Sequence, residues 1–190
     1  MSTAKLLHFV EAITQLLNTN PNEEIILTEG QELLAQLVAS DDWLPDQFAL
    51  PHPQFYQQYL LYADPLDRLS IVSFVWGPGQ KTPVHDHLTW GLVGALRGQE
   101  RETTYEKQAD GSYRATGTSI LRRGQTTAVS PNIGDVHEVA NDLDNEVSIS
   151  IHVYGRNIGR VHRHVFDPAT GNAKPFVSGY ASSVVPNLWS

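Results

Sequence analysis

Two histidines separated by one residue give this sequence its clearest candidate for metal chemistry. They are His85 and His87, which follow the segment 79–84. In an extended strand alternate side chains share a face, so the two imidazoles point together while Asp86 points away. Two imidazoles on one face begin a chelate, and a third ligand must come from elsewhere. His137, in a segment that continues to Asn141, is the best candidate.

A second group of polar side chains repeats the period of two. Ser150, His152 and Tyr154 share one face of a predicted strand, and Ile151 and Val153 take the other. Such a strand could simply face solvent. A hydroxyl, an imidazole and a phenol in a row can, however, form a hydrogen-bonded relay. The spacing therefore adds a second candidate site.

The elements that must position these side chains are mainly short strands. From about residue 55, β-branched or aromatic runs alternate with turn residues, and no helical pattern intervenes. The predicted strands lie within 56–62, 69–76, 90–97, 101–107, 118–121, 126–130, 136–140, 146–155 and 160–166. Strands at this spacing predict an antiparallel sandwich or barrel.

Two amphipathic helices are predicted before the strands. The first carries Leu6, Val10, Ile13 and Leu17 at intervals of three and four and ends before Pro21. The second is predicted to start at Thr28, whose hydroxyl would cap the helix while Gln31 reaches back. Its apolar face consists of Leu33, Leu34, Leu37 and Val38. Both helices are expected to pack on the outside of the strands.

Length and composition predict one globular domain over residues 1–190, with a helical segment 1–50, a barrel 55–165 and a C-terminal surface wrap 166–190. Thirteen basic and 21 acidic residues, without a basic cluster, argue against a nucleic-acid partner or an anionic membrane surface. No apolar run approaches the ~20 residues that a membrane-spanning helix needs. The N-terminal segment does not resemble a signal peptide, so a cytoplasmic location is expected. The absence of cysteine excludes disulfides and thiolate ligands.

The glycine frame around the histidines resembles the two motifs of the cupins. Gly79, His85, His87 and Gly98 match the first motif. The second is matched by Gly124, Pro131, Gly134, His137 and Asn141, with one extra residue on each side of Pro131. The resemblance covers roughly residues 55–165 and implies a jelly-roll β-barrel with these three histidines as metal ligands. The other such pair, His162 and His164, lacks this frame and is not expected to bind metal.

One departure from the common cupin pattern narrows the resemblance. Most metal cupins supply a glutamate about four residues after the histidine pair, but no carboxylate lies between His87 and Glu100 here. A site of three neutral imidazoles is similar to that of the cysteine dioxygenase family. The resemblance implies one Fe(II) per chain, a small thiol and O2 as substrates, and a sulfinic acid as product. Spacing alone would also accept other metals.

The same resemblance assigns roles to the second group. Tyr154 would orient oxygen or a sulfur-bound intermediate, with His152 and Ser150 positioning the phenol. In mammalian-type members that tyrosine is crosslinked to a cysteine, and the matching position here is Gly91. A crosslink of this kind is impossible in this chain.

Substrate choice is expected to depend on Gln58 and Arg163. Glutamine at the matching position marks the bacterial group that prefers 3-mercaptopropionate, and there an arginine after the Ser-His-Tyr strand takes the carboxylate. Arg163 matches it, and a guanidinium can pair bidentately with a carboxylate; the alternative is a surface arginine beside Asp167. The other functions that stay open are L-cysteine dioxygenase, a different metal cupin enzyme and a non-enzymatic binding cupin. A homo-oligomer also stays open.

Overall fold

Two helices precede the strands in the computed structural model, which describes residues 2–190. The first, α1, spans Ala4–Asn18, and the second, α2, spans Glu23–Val38. The spacing of Leu6, Val10 and Ile13 buries all three side chains, as an amphipathic helix requires. The first helix therefore lies where the sequence predicted it.

The predicted start of α2 at Thr28 is wrong. The helix begins five residues earlier, because Asn22 caps it: the Asn22 carboxamide oxygen accepts a hydrogen bond from the backbone N–H of Ile25 at 3.0 Å. Two glutamates in the first turn add a favourable interaction with the positive, N-terminal end of the helix dipole. Thr28 lies inside the helix, where its hydroxyl donates to the Glu24 carbonyl, and Gln31 donates in the same way to the Leu27 carbonyl.

Eleven strands follow in the described part of the chain. They are β1 Gln57–Ala63, β2 Ser70–Trp76, β3 Val84–His85, β4 Gly91–Arg97, β5 Gln99–Lys107, β6 Tyr113–Arg122, β7 Thr126–Val129, β8 His137–Asn141, β9 Ser148–Tyr154, β10 Arg163–Phe166 and β11 Ala173–Phe176. They form two sheets, ordered β1-β2-β9-β4-β7 and β11-β10-β3-β8-β5-β6, in which neighbouring strands are antiparallel. The predicted fold class, a mainly β cupin barrel preceded by helices, is confirmed.

The first sheet has two differently occupied faces. One face packs against the two helices in the main hydrophobic core, to which β9 contributes Ile149, Ile151 and Val153. The approach of α2 is close, since a Cβ on Gly94 of β4 would lie 3.0 Å from atoms of Leu34. The opposite face of β9 carries Ser150, His152 and Tyr154 into the space between the sheets, which is how the alternation of the sequence places a polar row in the interior.

The segment after β10 adds to the second sheet. Its strand β11 pairs with β10, with Phe176 opposite Arg163 and Lys174 opposite Val165. The tail then returns to β1, where the backbone N–H of Ala181 donates to the Gln58 carbonyl at 2.8 Å. None of the helices formed by residues 2–190 is both long and apolar enough to span a membrane.

Candidate metal centre

The structure brings His85, His87 and His137 together between the sheets. His85 on β3 lies opposite His137 on β8 in the strand register. The candidate ligand atoms of the three rings lie within 4.8 Å of one another, and all three side chains are buried. Among residues 2–190 these histidines are the one group of His, Asp and Glu side chains with this geometry.

The path of the backbone at His87 differs from the predicted continuous strand. Strand β3 ends at His85, and Leu88 adopts a left-handed conformation with φ of 58°. Asp135 holds this turn, since its carboxylate accepts hydrogen bonds from the backbone N–H groups of His87 and Leu88 at about 3 Å. A turn, and not strand alternation alone, therefore directs the His87 ring toward its two partners.

Each of the three rings uses its Nδ1 atom within the protein. The Nδ1 partners are the Pro83 carbonyl for His85 (3.0 Å), the Asp135 carboxylate for His87 (2.9 Å) and the Glu102 carboxylate for His137 (2.6 Å). A carbonyl or an ionised carboxylate can only accept, so Nδ1 carries the proton and Nε2 keeps its lone pair. Three Nε2 lone pairs converge, and the residues fit a metal ion held by neutral imidazoles.

Electrostatics support the neutral form of the His85 and His87 rings. Burial, together with the neighbouring rings and Arg163, lowers the pKa of His85 and of His87 well below the usual range. Burial is the largest single effect on Glu102 and disfavours its charged form, but the hydrogen bond to His137, the attraction of that ring and the hydrogen bond from Ser119 together lower the pKa of the carboxyl. Neutral histidines beside an ionised carboxylate are the state that metal binding requires.

Sequence reasoning missed Glu102 and Asp135. Both lie far along the chain from the histidines that they orient, at separations of 35 and 48 residues. In the sequence, Asp135 is marked only by its position two residues before His137. Glu102 is marked only as an acidic residue on a strand that resembles a polar surface. The pair His162 and His164 lies outside the cluster, and His164 is occupied by a hydrogen bond to Asp86.

Beside the cluster, the polar row of β9 forms a continuous hydrogen-bonded chain. The Ser150 hydroxyl lies 2.8 Å from His152 Nε2, and His152 Nδ1 lies 2.8 Å from the Tyr154 hydroxyl. The Trp76 indole N–H donates to Ser150 at 3.2 Å. Burial lowers the pKa of His152 to about 3 and raises the pKa of Tyr154, so both rings are uncharged at neutral pH. The Tyr154 ring stacks against the His87 ring with centroids 5.4 Å apart, which carries the relay to the edge of the cluster.

A cavity of about 180 Å³ opens next to the histidines. The structure places Gln58 of β1, Arg163 of β10, Tyr154 and His85 in its wall; the remaining lining residues are Tyr56, Phe74, Thr82, Pro83, Val165, Lys174 and Phe176. The predicted substrate residues and one predicted ligand therefore face a common space.

Arg163 is a buried residue, and the alternative of a surface arginine beside Asp167 is wrong. Only 4% of its surface is exposed. Its guanidinium lies over the Phe176 ring at 4.7 Å, and Nη2 donates to the Ser178 hydroxyl at 3.0 Å. Its Nε atom and the Gln58 Oε1 atom are buried and have no hydrogen-bond partner among the described residues. Buried polar atoms without partners are costly, and here they point to a polar ligand.

The fold and the histidine cluster define a metal-binding barrel of the cupin type, and comparison with known proteins narrows the class. The profile of the family "Cysteine dioxygenase type I" matches residues 1–167. This protein belongs to that family.

Relatives with curated descriptions agree with the family match. The chain is 24% identical over 160 residues to cysteine dioxygenase type 1 of Danio rerio, covering 80% of this chain and 75% of the relative. It is 27% identical over 108 residues to the Rattus norvegicus protein of the same name, and this match spans only about half of each chain (55% and 52%). A solved structure of a double-stranded β-helix domain protein from Klebsiella pneumoniae superposes with a TM-score of 0.48 at 16% identity, over 70% of this chain and 87% of that one.

Proposed function

We propose that this protein is a thiol dioxygenase that uses one iron ion held by His85, His87 and His137. The observation that carries the proposal is the convergence of three buried, neutral Nε2 atoms without a carboxylate ligand, beside a cavity that contains a buried arginine. Membership of the cysteine dioxygenase family supports the choice of iron and of a thiol substrate. Ferrous iron held there would supply the chemistry that adds both atoms of O2 to the sulfur, giving the sulfinic acid.

The residues of the chain bind and orient the substrate. Arg163 is protonated at neutral pH although burial lowers its pKa, and its unpartnered Nε can donate to a carboxylate. Tyr154 keeps its proton because burial raises its pKa, and the hydrogen bond to His152 orients the hydroxyl. The cavity has the volume of roughly six water molecules, which suits a short thiol acid.

Among candidate thiols we propose that 3-mercaptopropionate is favoured. The described residues that line the cavity include two cations, Arg163 and Lys174, and no carboxylate. A thiol acid without an ammonium group meets only favourable charge there, whereas the ammonium of cysteine would lie near Arg163 without an anionic partner. Gln58 adds a neutral amide to the same wall.

L-Cysteine is the second candidate, and one observation favours it. The unpartnered Gln58 Oε1 is an acceptor that could receive an N–H from an ammonium group. Rotation of the amide by 180° would instead present its N–H₂ to a carboxylate. Gln58→Arg would remove this acceptor and add a third cation to the wall, so the ratio of activities with the two thiols should change.

Product formation tests the proposal directly. Iron-reconstituted protein should consume O2 and form one sulfinate per O2 with 3-mercaptopropionate, at a higher kcat/KM than with L-cysteine or cysteamine. His137→Ala should lose bound iron and activity, while His162→Ala, a matched change outside the cluster, should keep both. Full iron content in His137→Ala would refute the ligand assignment. Oxygen uptake without sulfinate would refute the reaction, and a preference for L-cysteine would refute only the choice of thiol.

A further inference from the structure

An acid of the helical segment contacts the loop that leads into the metal cluster. Glu23 is the first residue of α2, and its carboxylate accepts a hydrogen bond from the Ser130 hydroxyl. Each of its two oxygens also accepts from the Asn132 carboxamide N–H₂ at 3.2 Å. Glu23 belongs neither to the histidine cluster nor to the cavity wall. Its contacts join α2 to a loop more than a hundred residues further along the chain.

The loop between β7 and β8 depends on the residues that Glu23 contacts. Ser130 is buried, whereas residues 131–134 are exposed, so packing fixes the start of the loop but not its remainder. The Ser130 hydroxyl accepts from the backbone N–H of Asn132 at 3.0 Å. The backbones of Ser130 and Gly134 exchange two hydrogen bonds, at 3.1 and 2.8 Å. The loop is therefore one hydrogen-bonded turn, and Glu23 anchors it at Ser130 and Asn132.

The turn is followed directly by Asp135, which orients one of the candidate metal ligands. Its carboxylate lies 2.9 Å from His87 Nδ1 and accepts from the backbone N–H groups of His87 and Leu88 at about 3 Å. On its other side, the Val136 carbonyl accepts from the backbone N–H of Tyr105 on β5 at 2.9 Å. Asp135 is therefore held by a barrel strand on one side and by the turn on the other.

We propose that Glu23 is a positioning residue for the metal centre, because it holds the turn 130–134 and, through this turn, Asp135 in the place from which the His87 ring is oriented. Each step from Glu23 to His87 is either a hydrogen bond or the next residue of the chain. The first turn of α2 thereby takes part in shaping a site inside the barrel. The consequence for metal affinity rests on the proposed function, whereas the order of the backbone at His87 does not.

The neighbouring residue Glu24 offers a matched control. It lies in the same first turn of α2 and is exposed. Glu24→Ala removes a favourable interaction with the positive end of the helix dipole, as Glu23→Ala does. Glu23→Ala removes, in addition, the hydrogen bonds to the turn. The difference between the two variants therefore measures the contribution of these hydrogen bonds.

Amide hydrogen exchange in the metal-free, full-length protein tests the order of the backbone. In Glu23→Ala the backbone N–H groups of His87 and Leu88 should exchange faster than in the wild type, because Asp135, their acceptor, is then held from one side only. The amides of the central strand β9 should exchange at wild-type rates, since they report opening of the whole barrel. Glu24→Ala should match the wild type in both places.

Zinc binding measures the consequence for the histidine cluster. Zinc suits neutral imidazole ligands, and its affinity is obtained without turnover by competition with a chromophoric chelator. Loss of a group that orients a ligand directly costs about ten- to 100-fold, and Glu23 acts through one further residue, so Glu23→Ala should weaken zinc binding roughly three- to tenfold relative to Glu24→Ala. Ser130→Ala should have a similar effect. The double variant Glu23→Ala/Ser130→Ala should lose no more affinity than the weaker of the two single variants, because both changes break the same connection.

Three results would overturn the proposal. They are wild-type exchange at His87 and Leu88 in Glu23→Ala, an equal acceleration of exchange in β9, which would mean that Glu23 supports only global stability, and additive losses of zinc affinity in the double variant. If Glu23→Ala does not fold, Asn132→Ala, which removes an exposed donor to Glu23, replaces it; faster exchange at His87 and Leu88 is again expected, and wild-type rates would overturn the proposal. A wild-type protein that binds no zinc would refute the proposed metal centre, and exchange in the metal-free protein would still decide the role of Glu23.

Discussion

Replacement of the buried arginine isolates its contribution to substrate binding. Arg163→Met removes the charge and the donors but keeps most of the volume over the Phe176 ring, so the cavity wall is not emptied as it would be by alanine. The variant loses the unpartnered Nε donor. It also loses the hydrogen bond from Arg163 Nη2 to the Ser178 hydroxyl. The main consequence should be the loss of a charged hydrogen bond to the carboxylate of the substrate.

The size of the effect follows from the burial of the site. A hydrogen bond to a charged group contributes ~1.5–3 kcal/mol. Since ~1.4 kcal/mol corresponds to a tenfold change, kcat/KM for 3-mercaptopropionate should fall roughly ten- to 150-fold. Lys174 lines the same cavity but is an exposed residue. Its interaction with a carboxylate is screened and contributes less than ~1 kcal/mol, so Lys174→Met should cost less than roughly fivefold.

Steady-state oxygen uptake with two thiols separates binding from general damage. Cysteamine has no carboxylate, so its kcat/KM should change little in Arg163→Met while that of 3-mercaptopropionate falls. Iron content, measured in the same samples, should stay at the wild-type level. Equal losses for both thiols would mean that Arg163 supports the structure and does not bind the carboxylate. A larger loss in Lys174→Met than in Arg163→Met would show that the substrate carboxylate binds Lys174 and not Arg163.

Three further predictions concern the groups around the cluster. Asp135→Asn should weaken metal binding about ten- to 100-fold in a competition titration, because the carboxylate orients the His87 ring, whereas Asp86→Asn, a matched change at an acid bonded outside the cluster, should not. Tyr154 should be unmodified, so the intact mass should equal the sequence mass, less any removed initiator methionine; a loss of two hydrogens at Tyr154 would contradict this. Glu100→Gln should raise stability by up to about 3 kcal/mol at pH 7 and by little at pH 4 in urea unfolding, since the pKa of this acid rises from 4.5 to about 8 on folding and stability is lost as the pH rises between these values. The opposite pH trend would refute the burial argument.

Short-range periodicity made much of this site predictable. The period of two on β9 placed Ser150, His152 and Tyr154 on one face, and their contacts of 2.8 Å follow from that register. The same argument worked less directly for the histidine pair. The strand ends at His85, and a turn held by Asp135 takes over its role. Strand alternation therefore predicted correctly that the His85 and His87 rings lie together, although a turn and not a continuous strand brings His87 into place.

Long-range partners and competing caps could not be deduced from the chain alone. Glu102 contacts His137 across two strands that are adjacent only in the folded sheet, so the local sequence shows it only as an acidic residue on a polar strand and gives no sign of its partner. The start of α2 was misplaced because Thr28 with Gln31 and Asn22 both offer a capping pattern. Asn22 is preferred because the earlier start lets Ile26 and Leu27 be buried in the same helix. Burial of a face decided between two locally acceptable caps.

The metal cluster and the selection of the thiol depend on different parts of the chain. The family match ends at residue 167, and every candidate ligand lies within it. The groups that hold Arg163 lie beyond that limit, in Phe176 and Ser178, as does Lys174 in the cavity wall. Membership of the family therefore supports a metal site and a reaction class, while the wall that we propose binds the substrate carboxylate is partly built from a segment that the family match does not cover. For this reason, substitutions in β11 should change the preference among thiols at constant metal content.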